Sequence, residues 1–176
     1  MSGRAAGSGA ALGRLATLPR RLGALVYESL LIAALVLVAG FVLAPLVSPA
    51  AGPASGLRLP GAVGRAISFA GVFGSMLAYC IWSWSAARRT LAMKTWHLGL
   101  ATVAGGPVTR GRAALRYLAC WTGPALAVTA YLALHPLGLG AHATWLVAFN
   151  FLWAFVDPDR QFLHDRIAGT RIVATA

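Results

Sequence analysis

Residues 157–170 of this chain read DPDRQFLHDRIAGT and directly follow a run of apolar residues. The chain has only four acidic residues, and three of them (Asp157, Asp159 and Asp165) lie in this stretch. The fourth, Glu28, lies inside another apolar run near the start. Carboxylates are thus confined to two regions of the sequence, and we expect the architecture to depend on whether these regions meet.

The composition is that of an integral membrane protein. Hydrophobic residues make up 59% of the 176 residues and charged residues only 11%, and the mean hydropathy is +0.72. Soluble domains carry about a quarter charged residues. The net charge of +11 would suit nucleic acid, but the basic residues lie between long apolar runs and form no basic stripe with interleaved aromatics. The charge therefore indicates membrane topology and a lipid bilayer as partner, and no nucleic-acid partner is expected.

The apolar runs predict an all-α fold, a polytopic transmembrane helical bundle of about four spans. Residues 1–19, rich in Gly, Ala and Ser, are predicted to be a disordered cytoplasmic N-terminus, and residues 20–173 the membrane domain. The fourth run is short for a span, so three spans with a re-entrant segment remain an alternative. The predicted spans cover about residues 22–47, 66–87, 117–134 and 137–156.

The connections between the spans contain the helix breakers. Residues 48–61 form a loop rich in Pro, Gly and Ser. Between the second and third spans, residues 95–103 followed by Gly105-Gly106-Pro107 predict a short extended or hairpin element at headgroup level. Gly123-Pro124 interrupts the third span, which a membrane helix tolerates when its neighbours satisfy the freed carbonyl.

The distribution of basic residues predicts the orientation. With four spans, all Lys and Arg residues except Arg58 and Arg65 lie on one side of the membrane. The positive-inside rule makes that side cytoplasmic, so both termini are expected in the cytoplasm. The tail is expected to form an amphipathic helix along the inner interface, with Asp157 as N-cap, Pro158 at the first helical position and Gly169 as the stop.

Glu28 is the first candidate functional residue. It follows Arg21 by seven residues, so both lie on the same face of a helix about 10 Å apart along the axis. An ionisable group inside a span suggests a functional site, here proton or cation handling. The alternative is that Glu28 is protonated or paired with a basic residue and only orients the first helix.

The sequence His164-Asp165-Arg166 is the second candidate. Only His164 and the three aspartates are at hand, with no spaced pair of histidines, so no metal site is expected. The sequence contains no Gly-rich phosphate loop, and no cofactor is expected. Adjacent residues of a helix point about 100° apart and no nucleophile motif is present, so we do not expect an enzyme. The remaining interpretation is structural: Asp165 accepts hydrogen bonds or an arginine and attaches the tail to the inner ends of the spans.

Three segments together resemble the RDD family of bacterial membrane proteins. They are Arg21-Leu22-Gly23-Ala24 followed by Glu28, the stretch TLAMK at residues 90–94, and residues 155–170. The family is named for an arginine and two aspartates. The resemblance places the arginine on Arg21, the last aspartate on Asp165 and the first on Glu28, which departs from the pattern but keeps the charge. The tail motif residues are Asp157, Asp159, His164, Gly169 and Thr170.

The resemblance implies a bacterial inner-membrane protein, and cation/proton antiport is proposed for some members of the family. We expect Glu28 and Asp165 to meet near the cytoplasmic face and to share Arg21 and Arg166 as basic partners. In a transporter, Glu28 would exchange a proton with a small cation. In an accessory or assembly protein, the same cluster would be a structural clasp. The small residues of the second span offer an interface for a homo-oligomer (Ala70, Gly71, Gly74, Ser75 and Ala78).

Overall fold

The computed structural model describes residues 14–47 and 60–175. Residues 1–13, 48–59 and 176 lie outside the described part, and with them most of the predicted loop of residues 48–61 and most of the segment for which disorder is predicted. The chain forms seven α-helices and two strands within the described part. In order these are α1 (Leu18–Val47), α2 (Ala62–Trp84), α3 (Leu91–Thr95), β1 (Leu98–Thr102), α4 (Arg110–Cys120), α5 (Thr122–Leu134), α6 (Phe149–Leu152), α7 (Leu163–Ala168) and β2 (Thr170–Ala174). The predicted all-α bundle is confirmed.

Three helical segments in the described part are long and apolar enough to cross a membrane: Leu18–Val47, Ala62–Trp84 and Arg110–Leu137. The first packs against the second. The run expected as a fourth span is helical but divided, with 3-10 turns at Gly140–Ala148 and Trp153–Phe155 on either side of α6. The turn at Gly140–Ala148 and α6 fold back along α5, and the count of four spans stays a prediction.

Glycine makes this hairpin possible. A Cβ on Gly123 would lie 2.4 Å from the carbonyl oxygen of Val147, so only glycine fits where the returning backbone crosses α5. The helix break falls two residues before Gly123, at Trp121. Pro124 lies in the first turn of α5, where its missing N–H is not needed. The sequence Gly123-Pro124 therefore starts a helix and permits close packing.

A two-stranded sheet covers one end of the helices, which we call the sheet end. Strands β1 and β2 are antiparallel, with Leu98 opposite Ala174 and Thr102 opposite Thr170. The extended element expected within residues 95–103 is confirmed as β1, but its partner is the C-terminal strand, which was not predicted. Residues 14–17 join the same layer, since the Ala16 amide donates to Ile172 O at 3.1 Å. This ordered contact contradicts the prediction of disorder for residues 14–19.

The tail helix is shorter than expected. It begins at Leu163, so the predicted start at Pro158 is wrong. The Asp157 carboxylate accepts the backbone amides of Asp159 at 3.1 Å and Gln161 at 2.9 Å, which stabilises a turn in place of a helix cap. Gly169 ends α7 in the left-handed conformation at φ +61°, as predicted. The helix packs against α4, which buries Asp165 completely.

Candidate functional site: two acidic centres at one cavity

Asp165 forms the first acidic centre, at the sheet end. Its Oδ1 accepts Arg116 Nε at 2.8 Å, and the two side chains are 0% and 4% exposed. The Thr170 hydroxyl donates to the same oxygen at 3.0 Å. An ion pair in this environment is strongly coupled, because removal of either member would leave the other charge buried without a partner. Asp165 therefore holds α7 and the start of β2 onto α4.

His164 extends this centre. The side-chain oxygen of Asn150 accepts the backbone amide of His164 at 2.9 Å and lies 2.9 Å from its Nδ1, while Asn150 Nδ2 donates to Ala119 O at 3.0 Å. An amide oxygen can only accept, so Nδ1 carries the proton. His164 Nε2 then accepts from Arg116 Nη2 at 3.1 Å. The bonds fix one neutral tautomer, and we call the five residues the Asp165 network (Arg116, Asn150, His164, Asp165 and Thr170).

The electrostatics agree with this geometry. Burial lowers the pKa of His164 to about 4, and the Arg116 guanidinium lowers it further while Asp165 opposes the shift. Burial would raise the pKa of Asp165, but the charge of Arg116, with hydrogen bonds from Arg116 and Thr170, holds the pKa of that carboxyl below its ordinary value. At neutral pH the network therefore contains an ionised pair and a neutral imidazole.

Arg166 does not belong to the Asp165 network. Its Nε donates to Asp157 Oδ1 at 2.7 Å, and its Nη2 donates to Asp157 Oδ2 at 2.9 Å and Asp159 Oδ2 at 2.7 Å. Hydrogen bonds from Arg166 hold the pKa of Asp157 below its ordinary value. The expectation that Glu28 and Asp165 share Arg166 is wrong, because neighbours on a helix diverge and Arg166 faces the turn that precedes α7.

Glu28 forms the second acidic centre, on α1. Its Oε1 accepts the hydroxyl of Tyr79, from α2, at 2.8 Å, and the residue is half-buried. Among residues 14–47 and 60–175, no basic side chain lies within 4 Å of its carboxylate, and Asp165 does not contact it. The two acids expected to meet thus have separate partners, a phenol for Glu28 and an arginine for Asp165.

Arg21 lies between the two centres. It is only 3% exposed, and its guanidinium carbon lies 5.8 Å from the centre of the Phe162 ring. Its Nε and Nη1 have no hydrogen-bond partner in the described part of the chain. The resemblance places the family arginine here, and the structure gives this arginine neither of the two acids as a direct partner.

A cavity of about 180 Å³ connects the centres. Arg21 and Glu28 line it from α1, and Arg116 and His164 line it from the Asp165 network. Apolar and aromatic side chains from α1, α3, both strands and α6 complete the wall. The acidic centres therefore share one cavity without contacting each other.

The RDD family model matches residues 15–169, which covers most of the chain and both acidic centres. The chain belongs to the RDD family. No curated protein and no solved structure matches it. The sequence resemblance is thus confirmed, and so is the coarse conclusion that this is an RDD membrane protein with apolar helices in a lipid environment.

Three residues of this RDD site had not been singled out from the sequence. Arg116 is one of six basic residues in its connection, but it is the one that directly precedes the third apolar run. Asn150 is the lone amide in the last apolar run, a signal that a buried polar partner is needed nearby. Tyr79 gives no such signal, because it is one of several aromatic residues near a span end.

Proposed function

We propose that this RDD protein exchanges protons for small cations across the bacterial inner membrane, with Glu28 as the carboxylate that carries the proton. The observation that carries the proposal is the neutral partner of Glu28, the Tyr79 hydroxyl at 2.8 Å. A carboxylate held by a phenol can gain a proton without leaving a buried cation unpaired. Asp165 cannot do so, because Arg116 would then lose its counter-charge.

The position of Glu28 supports this role. It lies ten residues into α1, about 15 Å along the helix axis from the first residue. It is the sole acid of the chain within a segment that is apolar enough to span the membrane. It also lines the cavity between α1 and the sheet end. Acidic groups in such positions mark proton and ion pathways.

The proposed orientation follows from charge. The connection from α2 to α4 contains Arg88, Arg89 and Lys94 together with β1 of the sheet end. No acid offsets these residues within that connection. The positive-inside rule supports a cytoplasmic sheet end, and the C-terminal strand would then also lie in the cytoplasm.

The test is proton movement in proteoliposomes that contain a pH-sensitive dye. Gradients of sodium, potassium or lithium are imposed on vesicles with the unmodified protein, with Glu28→Gln, or with Asp159→Asn as the matched control. Asp159 is an exposed carboxylate outside the cavity. We expect Glu28→Gln to abolish cation-driven proton movement and Asp159→Asn to retain it. Flux no greater than in empty vesicles, or equal flux in Glu28→Gln, would overturn the proposal.

An accessory or assembly role is the second candidate, and the outer face of α2 supports it. A Cβ on Gly71 would lie 2.6 Å from Leu43, so this glycine serves the contact with α1. Ala70, Gly74 and Ala78 are exposed and recur every fourth residue, which suits close packing of a second copy. In that case no flux exists, and Gly74→Leu would lower the yield of crosslinked dimer in membranes while Phe69→Leu, at an exposed position about 140° away on the same helix, would not.

A further inference from the structure

Three buried hydrogen-bond donors around the cavity have no acceptor in the described part of the chain. They are Nε and Nη1 of Arg21 and the indole Nε1 of Trp84. Both residues line the cavity. Trp84 is 7% exposed and lies beneath Arg116, whose guanidinium carbon is 4.3 Å from the ring centre. An unsatisfied buried donor is costly, so a group with several acceptors would stabilise this site.

No carboxylate of the chain hydrogen-bonds to these donors, although Asp165 Oδ2 is itself a buried acceptor without a hydrogen-bond partner in the described part. All four acidic residues lie in the described part. Glu28 accepts from Tyr79, Asp165 accepts from Arg116, and the two remaining acids accept from Arg166. The segments outside the described residues contain no Asp or Glu. Within the chain, Arg21 thus has only the more distant charges of Asp165 and Asp157 to offset its own, and a direct hydrogen-bonded counter-charge would have to come from another molecule.

The wall of the cavity limits the chemistry of that molecule. Leu25, Ile32, Leu98, Phe151 and Ile172 give it an apolar surface beside the donors. The volume of about 180 Å³ equals roughly six water molecules at about 30 Å³ each. Water molecules that filled the cavity could form hydrogen bonds with the few donors but not with the apolar side chains of the wall. A small anionic group attached to a hydrocarbon chain would match both the donors and the apolar wall.

We propose that this cavity binds the anionic head of an amphiphile, a carboxylate or phosphate group carried on an acyl chain. Arg21 and Trp84 donate to the oxygens of the head, and the first chain carbons pack against Leu25 and Phe151. The inference goes beyond the proposed cation exchange. Arg116 is already balanced by Asp165, so an anion beside Arg21 would neutralise the remaining basic group of the wall and make the cavity more favourable for a cation at Glu28.

Binding can be measured on the whole purified protein in a neutral maltoside detergent, without any gradient. The probes are dodecanoate, the uncharged dodecanol of the same chain length, and inorganic phosphate, each titrated by calorimetry. We expect dodecanoate to bind at least about tenfold more tightly than dodecanol, because only the anion forms charge-assisted hydrogen bonds. Phosphate should bind more weakly than dodecanoate, since it lacks the chain.

Variants locate the site. Arg21→Gln should weaken dodecanoate binding by about tenfold or more. The matched control is Arg20→Gln, which removes the positive charge next to Arg21. The Arg20 guanidinium contacts a different group, since its Nη2 donates to Trp96 O at 2.7 Å. Arg20→Gln should leave the affinity unchanged. Trp84→Phe replaces the indole by a smaller aromatic ring that lacks the Nε1 donor, and should weaken binding by about threefold. Glu28→Gln should bind dodecanoate more tightly, because it removes a like charge from the wall.

Several outcomes would overturn the proposal. Equal affinity for dodecanoate and dodecanol would show that charge is not recognised. Phosphate binding as tight as dodecanoate would show a small oxyanion site without a chain subsite. Unchanged affinity in Arg21→Gln would place the anion elsewhere, and if that variant does not fold, unchanged affinity in Trp84→Phe would do the same. These measurements do not depend on flux, so they stand or fall separately from cation exchange.

Discussion

Two carboxylates of this RDD protein lie near the same cavity in environments of different kinds: Glu28 lines the cavity, and Asp165 contacts Arg116, which lines it. Asp165 is fully buried, and an arginine and a hydroxyl both donate to one of its oxygens. Glu28 is half-buried, and a single phenol donates to it. A charged partner fixes the protonation state of a buried acid, whereas a neutral partner leaves it able to change.

The contrast between Asp165 and Glu28 predicts that one carboxylate serves the stability of the fold and the other its activity. The Asp165 network joins α4 to α6, α7 and β2, and its hydrogen bonds from α4 span 31 residues to α6 and 49 residues to α7. Glu28 joins only α1 and α2, which also pack through extensive apolar contacts. We therefore expect substitutions in the network to affect folding, and substitutions at Glu28 to affect what the folded protein does.

The largest effect is expected for Asp165→Asn. The variant leaves Arg116 charged and buried without a counter-ion, which should cost about 3–5 kcal/mol of the free energy of unfolding. The measurement is thermal unfolding in detergent, together with the yield of folded protein. Asp159→Asn is the control, because its carboxylate is exposed and its removal should change stability by about 0.5 kcal/mol or less.

A double variant tests the cause of that loss. Arg116→Leu combined with Asp165→Leu removes both charges, and should recover part of the stability lost in Asp165→Asn, since replacing a buried pair by apolar groups is often near neutral. If Asp165→Asn unfolds at the temperature of the unmodified protein, the ion pair does not hold the tail, and the contrast with Glu28 disappears.

The next effect is a dependence of stability on pH that comes from His164. The pKa of His164 falls from 6.5 to about 4 on folding. Between these two pH values His164 is therefore protonated in the unfolded chain and neutral in the native state. The stability contributed by neutral His164 is complete above pH 6.5 and is lost as the pH falls towards 4. Between pH 7.5 and 5 the loss should be about 2 kcal/mol.

His164→Gln provides the control for this titration, because its side chain does not ionise. Unfolding measured from pH 5 to 7.5 should show a smaller slope in this variant than in the unmodified protein. The depressed pKa values of Asp157 and Asp165 add their own loss only at lower pH, below about 4, where unfolded carboxylates take up protons. An equal slope in both proteins would assign the dependence to other groups.

The sequence predicts the positions of the long helices well but the partners of the charged side chains poorly, for a physical reason. Long apolar runs predict α1 and α2 because burial in lipid demands saturated backbone hydrogen bonds over about 20 residues. The partners of Asp165 were expected to be Arg21 and Arg166, but its arginine partner is Arg116, 49 residues earlier. Which of two arginines faces an acid depends on helix phase and packing, which local patterns do not determine.

The pairing of the two strands was also not predictable from local sequence patterns. The β1 segment was recognisable from its breakers, but β2 follows a helix directly after Gly169 and pairs with residues about 70 positions away. Strand pairing of this kind is decided by tertiary contacts, because a five-residue strand has little intrinsic stability. The cavity was not predictable either, since elements from both ends of the chain form its wall.

The smallest effect is expected at the second acidic centre. Tyr79→Phe removes one hydrogen bond to Glu28 and should cost about 0.5–1.5 kcal/mol. Glu28→Gln should cost less, because an amide oxygen can still accept the phenol proton. Thermal unfolding under the conditions used for Asp165→Asn gives the ratio of the two effects. If Glu28→Gln destabilises the protein as much as Asp165→Asn, Glu28 contributes a structural charge, and its loss of flux would reflect loss of fold instead of loss of a proton carrier.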